Sequence, residues 1–149
     1  MSTIPAVLAA LASLGASTLT SAQVVNGDLG NVTVTSNRLL LVGDDEIQIT
    51  RDLDSLSATT TSEQYEVPCT LSADVAGTDQ TVADAMVFAD YAALELAVRE
   101  YAGGPDLGLR AQGVFSVLPL GIHSLRRMGD GDGRHAAVRF RFRVYAQNT

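Results

Sequence analysis

The sequence predicts an α+β fold: a mostly antiparallel, mixed β-sheet with a short N-terminal helix and one long helix packed on one face, closed by a C-terminal β-hairpin. Three observations carry that reading. Residues 138–144 alternate strictly between apolar Val138, Phe140, Phe142 and Val144 and cationic Arg139, Arg141 and Arg143, and a side-chain period of two belongs to a strand. Between residues 82 and 101, Val87, Tyr91, Leu94, Val98 and Tyr101 recur at helical spacing, with Gly103-Gly104-Pro105 as a stop. Strand-like runs lie on both sides of this helix without further helices between them, which favours antiparallel pairing over βαβ crossovers.

The elements follow in order. Thr3 is placed to cap a helix with Pro5 in its first turn; Ile4, Val7, Leu8, Leu11 and Leu14 form its apolar stripe, and Gly15 reads as its end. The other side of this helix is Ala and Ser rather than charged, so cover on more than one side is expected, from its own sheet or a neighbouring subunit. Ala22–Asn26 and Val32–Thr35 read as short strands separated by an Asn26-Gly27-Asp28 turn. The continuous apolar run Arg38–Gly43 marks a central strand covered on both faces. Residues 52–62 are Ser, Thr and Asp with little to bury, a flexible loop. Alternation resumes from Glu63 to Val75, with Pro68 in its middle; a proline removes a ladder donor, so an edge position or a bulge is expected. Thr78 or Asp79 caps the long helix, and Glu95 with Arg99 forms an i,i+4 pair on it. Residues 113–128 form a strand interrupted by Pro119 and Gly121, and Gly129–Gly133 turns the chain back into the arginine strand.

At 149 residues the chain fits one domain, 1–149. Its net charge of -7 is unevenly spread: six of the ten arginines lie beyond residue 125 with only Asp130 and Asp132 against them. Fifteen of the seventeen acids therefore fall in the first 125 residues, against four arginines. A positive end on a negative body predisposes copies to bind head to tail. There is no lysine, and the single cysteine, Cys69, falls in the apolar parity of Tyr65, Val67 and Leu71, as a small buried residue in a reducing compartment. The small apolar run Pro5–Gly15 followed by Ser21-Ala22-Gln23 has the outline of a signal peptide but lacks a cationic start, and it is shorter than the about 20 residues of a membrane span. No membrane partner is expected.

Chemical motifs are few. Without lysine no Gly-x-x-x-x-Gly-Lys phosphate loop exists, and there is no Gly-x-Ser-x-Gly elbow. His123 and His135 flank the hairpin with no third or fourth ligand at metal spacing, and Asp130-Gly-Asp-Gly lacks the remaining oxygens of a calcium loop. Asp44-Asp45-Glu46 follows a strand, where either a solvated turn or catalytic carboxylates can sit. Neither an enzyme, a cofactor nor a metal is expected. The arginine row is open to three readings: a solvated face, a nucleic-acid surface, or a contact between copies. The acidic body weighs against nucleic acid. The contact reading pairs Arg139, Arg141, Arg143, Arg126 and Arg127 of one copy with Asp44, Asp45 and Glu46 of the next.

The helix start Ile-Pro-Ala-Val-Leu-Ala-Ala-Leu, the Leu-Leu-Leu-Val-Gly strand followed by acids, the Glu-Gln-Tyr-Glu-Val-Pro-Cys strand after a polar loop, the long helix and the closing Ala-Val-Arg-Phe-Arg-Phe-Arg-Val together resemble the tail terminator proteins of long-tailed bacteriophages. The resemblance spans nearly the whole chain. It implies a structural virion protein, assembled in the host cytoplasm, that forms a homo-hexameric ring on the head-proximal end of the tail. Such a ring ends tube polymerisation and joins the tail to the head, with the tail tube protein and the head-tail connector or neck proteins as partners. DNA would pass through the lumen without specific binding. A neck, head-completion or tail tube protein is the related alternative. A small secreted or periplasmic β-rich binding domain is the alternative from another class.

Overall fold

A computed structural model describes residues 2–53 and 61–148. Helix α1 (Ile4–Thr18) leads into strands β1 (Gln23–Asn26), β2 (Arg38–Val42) and β3 (Ile49–Leu53); β4 (Thr61–Ala76), helix α2 (Gln80–Arg99) and the hairpin of β5 (Val114–Gly129) with β6 (Gly133–Asn148) follow. The six strands form a mixed sheet ordered β1-β2-β4-β6-β5, with β3 also paired to β4. Among the described residues only β1 and β2 run parallel. Both helices lie on one face, α2 against β4, β5 and β6, and α1 against β1 and β2, which is the architecture the periodicities imply.

The core is the inward parity of the two long central strands. Tyr65, Val67, Cys69 and Leu71 of β4 stand opposite Val144, Phe142, Phe140 and Val138 of β6, and all eight are at most 2% exposed. Phe140 joins the layers, its ring edge-on to Tyr91 of α2 at 4.9 Å and to Phe142 at 5.6 Å. Burial pushes the Cys69 thiol up to about 12, so it stays a protonated packing residue. In β2, the adjacent residues Leu39 and Leu40 point to opposite faces and are both buried, as the unbroken apolar run requires.

A bidentate ion pair ties β2 to α2. Arg38 donates from Nε to Asp90 Oδ2 at 3.0 Å and from Nη2 to Oδ1 at 2.6 Å. Asp90 is 7% exposed, so removing it leaves the Arg38 side chain, 24% exposed, without its partner. Asp90→Ala is expected to cost about 1.5–3 kcal/mol in chemical denaturation.

Several local expectations are corrected. Gly15 does not end α1; it sits inside the helix because a Cβ there would lie 2.5 Å from Leu40 Cδ2, so close helix-sheet approach, not termination, selects it. Thr3 makes no side-chain cap bond; its hydroxyl is drawn instead into a buried cluster with Glu63 and Tyr65. Val32–Thr35 is not a strand. Its backbone is held by the Gln23 side chain, whose amide donates to Thr33 O at 2.9 Å and accepts from Thr35 N at 2.7 Å, in the place of a strand rung. Of the loop expected at 52–62, residues 52–53 and 61–62 belong to β3 and β4, and 54–60 lie outside the described residues.

Pro68 is neither at an edge nor in a bulge. It lies in mid-β4, which pairs with β6 along its whole length and with β2 and β3 on the other side. On that other side β3 covers 61–65 and β2 covers 69–73, leaving Pro68 between them. Its carbonyl points that way, accepting from Gly43 N at 2.8 Å. The N–H of a strand residue faces the same side as its C=O, so the missing donor falls in the gap and costs no rung. The Pro119–Gly121 interruption does become irregular pairing: β5 shifts register between Pro119 and Ile122 and again before Ser124, with Gly121 at φ +90°.

Candidate functional site

The face of the sheet away from the helices carries the charge. Because Val138, Phe140, Phe142 and Val144 point into the core, Arg139, Arg141 and Arg143 stand on the open face, with side chains 43, 51 and 37% exposed. In register beside them on β4 are Thr70, Pro68 and Glu66. Arg139 Nη2 lies 3.1 Å from Asp45 Oδ2. Glu66 serves two arginines, Arg143 at 3.5 Å and Arg141 at 4.0 Å. One carboxylate between two guanidiniums leaves positive charge uncompensated, and Arg143 Nε is buried without a hydrogen-bond partner among the described residues.

The acids after β2 are brought to this same face. The connection from Gly43 to Gln48 passes beside Pro68, and Asp45, Glu46, Gln48, Gln64, Glu66 and Arg141 line a polar cleft of about 390 Å³. Asp44 Oδ2 accepts from Thr70 Oγ1 at 2.6 Å, while its Oδ1 has no hydrogen-bond partner among the described residues. The Glu46 N–H and then Arg139 hold the Asp45 carboxyl below the usual carboxylate range. Asp45 and Arg139 thus meet within one chain. Exposed pairs of this kind contribute about 0–1 kcal/mol, so they exchange partners at little cost. Arg127 is committed elsewhere, 3.0 Å from Asp84 of α2. Arg126 and Glu46 are exposed and have no ion pair among the described residues.

The histidines are separated by the hairpin register. His135, opposite Met128 near the turn, places Nδ1 2.7 Å from Asp74 Oδ1, while His123 is exposed in the irregular part of β5. Among the described residues no three of His, Cys, Asp or Glu are grouped to hold a metal. Asp130 shapes the turn itself, its Oδ1 accepting from Asp132 N at 2.8 Å and Gly133 N at 2.9 Å. Among the described residues no helix is long and apolar enough to cross a membrane.

Two features of the surface and core escaped the sequence reading. One is the buried carboxylate of Glu63, 1% exposed; its parity with Tyr65, Val67 and Cys69 was the available signal. The other is apolar exposure, with Phe115, Leu118, Leu120, Leu125 and Met128 of β5, beside the arginine strand, and Val82, Phe88 and Leu96 of α2 each 41–55% exposed. For α2 the signal was the near absence of charge between Val82 and Leu96 on the side opposite the core stripe.

No family model matches the chain, and no curated protein matches its sequence. Its fold is similar to that of a solved chain from the virion of a native gene transfer agent particle. The likeness has a TM-score of 0.50 at 20% identity and covers 93% of this chain and 94% of that one.

Proposed function

We propose that this chain is a structural virion protein that acts by assembly, closing into a ring on the head-proximal end of a phage-type tail tube. The observation that carries the reading is the fold shared with a virion chain over nearly the full length of both. The layered architecture, one helix-covered face and one open charged face, supports it, as does the resemblance to tail terminators in the order and character of the elements. In this reading the partners are further copies of the chain in a homo-hexameric ring, the tail tube protein on one side and the head connector or neck proteins on the other. The work is done by binding energy rather than by chemistry.

The arginine row contributes charge-sensitive contacts between copies, Arg139, Arg141 and Arg143 exchanging their weak in-chain partners for acids of a neighbour. Electron microscopy of the purified protein, alone and mixed with tube protein, tests the reading directly: closed rings of about 6 subunits are expected. A particle that stays a monomer at every concentration and binds neither tube nor connector overturns it. Replacing all three arginines by Ser is expected to leave the fold intact and to weaken assembly, with a smaller salt dependence than the parent shows. Sedimentation at two ionic strengths measures both effects.

A further inference from the structure

Two apolar surfaces have no cover among the described residues. On α2, Val82, Ala85, Phe88, Ala89, Ala92 and Leu96 are all exposed, and their spacing sets them along the side of the helix facing away from the sheet. No exposed charge interrupts them before Arg99 and Glu100. A helix that buries one stripe on a sheet ordinarily turns charge to water on the other; this one is apolar on both. The second surface is β5, which among the described residues pairs only with β6 and exposes Leu118, Leu120 and Met128 by 42–48%, Leu118 and Met128 on the open face. Pro119 and the two register shifts blunt its backbone edge, so side chains rather than an added strand would make contact there.

The two surfaces differ in charge. The β5–β6 hairpin carries six arginines against Asp130 and Asp132, while residues 80–100 carry Asp84, Asp90, Glu95 and Glu100 against Arg99. Within the chain, Asp84 pairs with Arg127, Asp90 with Arg38 and Glu95 with Arg99. That leaves Arg126 and Glu100 exposed and without an ion pair among the described residues. Arg126 shares the open face of β5 with Met128, two residues on, and Glu100, the C-cap of α2, lies one turn beyond Leu96. The α2 stripe points away from its own sheet and cannot reach its own β5, yet a second copy supplies the matching surface.

We propose that the outward stripe of α2 in one copy seats on the open face of β5 of the next, Val82, Phe88 and Leu96 against Leu118 and Met128, with Glu100 meeting Arg126. The contact is heterologous and repeats around a ring. It rests on the ring reading and names the two apolar surfaces through which copies join.

Charge exchange on the full-length protein tests it, with sedimentation velocity over a concentration series as the readout and circular dichroism to show that each variant is folded. Arg126→Glu and Glu100→Arg each place like charges together and are expected to raise the concentration for half-assembly at least about tenfold. The double variant restores opposite charges and is expected to recover most of that loss, and Leu96→Asp is expected to abolish assembly in a chain that remains folded. If the parent assembles while the single exchanges leave it unchanged, or if the double fails to recover, this contact is wrong and the ring reading stands. If the parent never assembles, both fall.

Discussion

Phe140→Ala is expected to destabilise the fold by about 3–5 kcal/mol, the range for deleting a large aromatic side chain from a packed core. Phe140 is 0% exposed and sits where three elements meet: Cys69 of β4 opposite it in register, Tyr91 of α2 against its edge, and Phe142 beside it. The helix and both central strands lose contacts together, so collapse around the hole is resisted. Thermal and denaturant unfolding measure the loss. A drop below about 1 kcal/mol would mean that this junction repacks and that α2 is not anchored through Phe140.

The same residue shows what can be read from the chain alone. The alternation from Val138 to Val144 has one solution, and the structure adopts it, since a slip of one residue would bury three arginines. The long helix was equally legible, from the spacing of Val87, Tyr91, Leu94 and Val98. Legibility fails wherever the answer depends on a partner distant in sequence. Gly15 reads as a stop until Leu40 occupies the space its Cβ would need. Pro68 reads as an edge signal until β2 and β3 leave a gap of their own at that point. Val32–Thr35 has strand composition, but its rungs are filled by the side chain of Gln23.

Charge followed the same rule. That arginines line the open face came from parity; that Asp45 would meet Arg139 across 94 residues did not. The consequence for assembly is physical: exposed in-chain pairs reduce what the arginine row can gain from a neighbour, because each new contact replaces an old one. Apolar contacts carry no such exchange term. A ring built from this chain would therefore draw most of its stability from surfaces such as α2 and β5, with the arginines setting register and salt sensitivity.

Glu63 is the polar counterpart of Phe140, and its removal is expected to cost about 1–3 kcal/mol, because the buried Thr3 donors are left unpaired while Arg51, its side chain 52% exposed, turns to water. Its side chain is enclosed between α1 and the sheet. Oε1 accepts from Ser2 Oγ at 2.9 Å and Arg51 Nη2 at 3.2 Å, and Oε2 accepts from Thr3 N at 3.3 Å and Thr3 Oγ1 at 3.2 Å. With Thr3 Oγ1 donating to the carboxylate, the Tyr65 hydroxyl donates to Thr3 over 2.8 Å, and burial raises the Tyr65 phenol to about 12, which keeps that proton in place. Burial alone would raise the Glu63 carboxyl; the hydrogen bonds from Ser2, Thr3 and Arg51 outweigh it and hold the group below its usual 4.5. A folded value below the unfolded one stabilises the protein above about pH 4.5, and that contribution is lost as pH falls through the folded value. Glu63→Ala should thus lose stability at neutral pH. Glu63→Gln should show a shallower decline between about pH 5 and pH 3 than the parent, since the remaining slope comes only from other depressed carboxyls such as Asp45 and Asp106. Unfolding midpoints collected across that range decide the matter: parallel curves for parent and Glu63→Gln would show that the carboxylate at the foot of α1 is not what acid attacks.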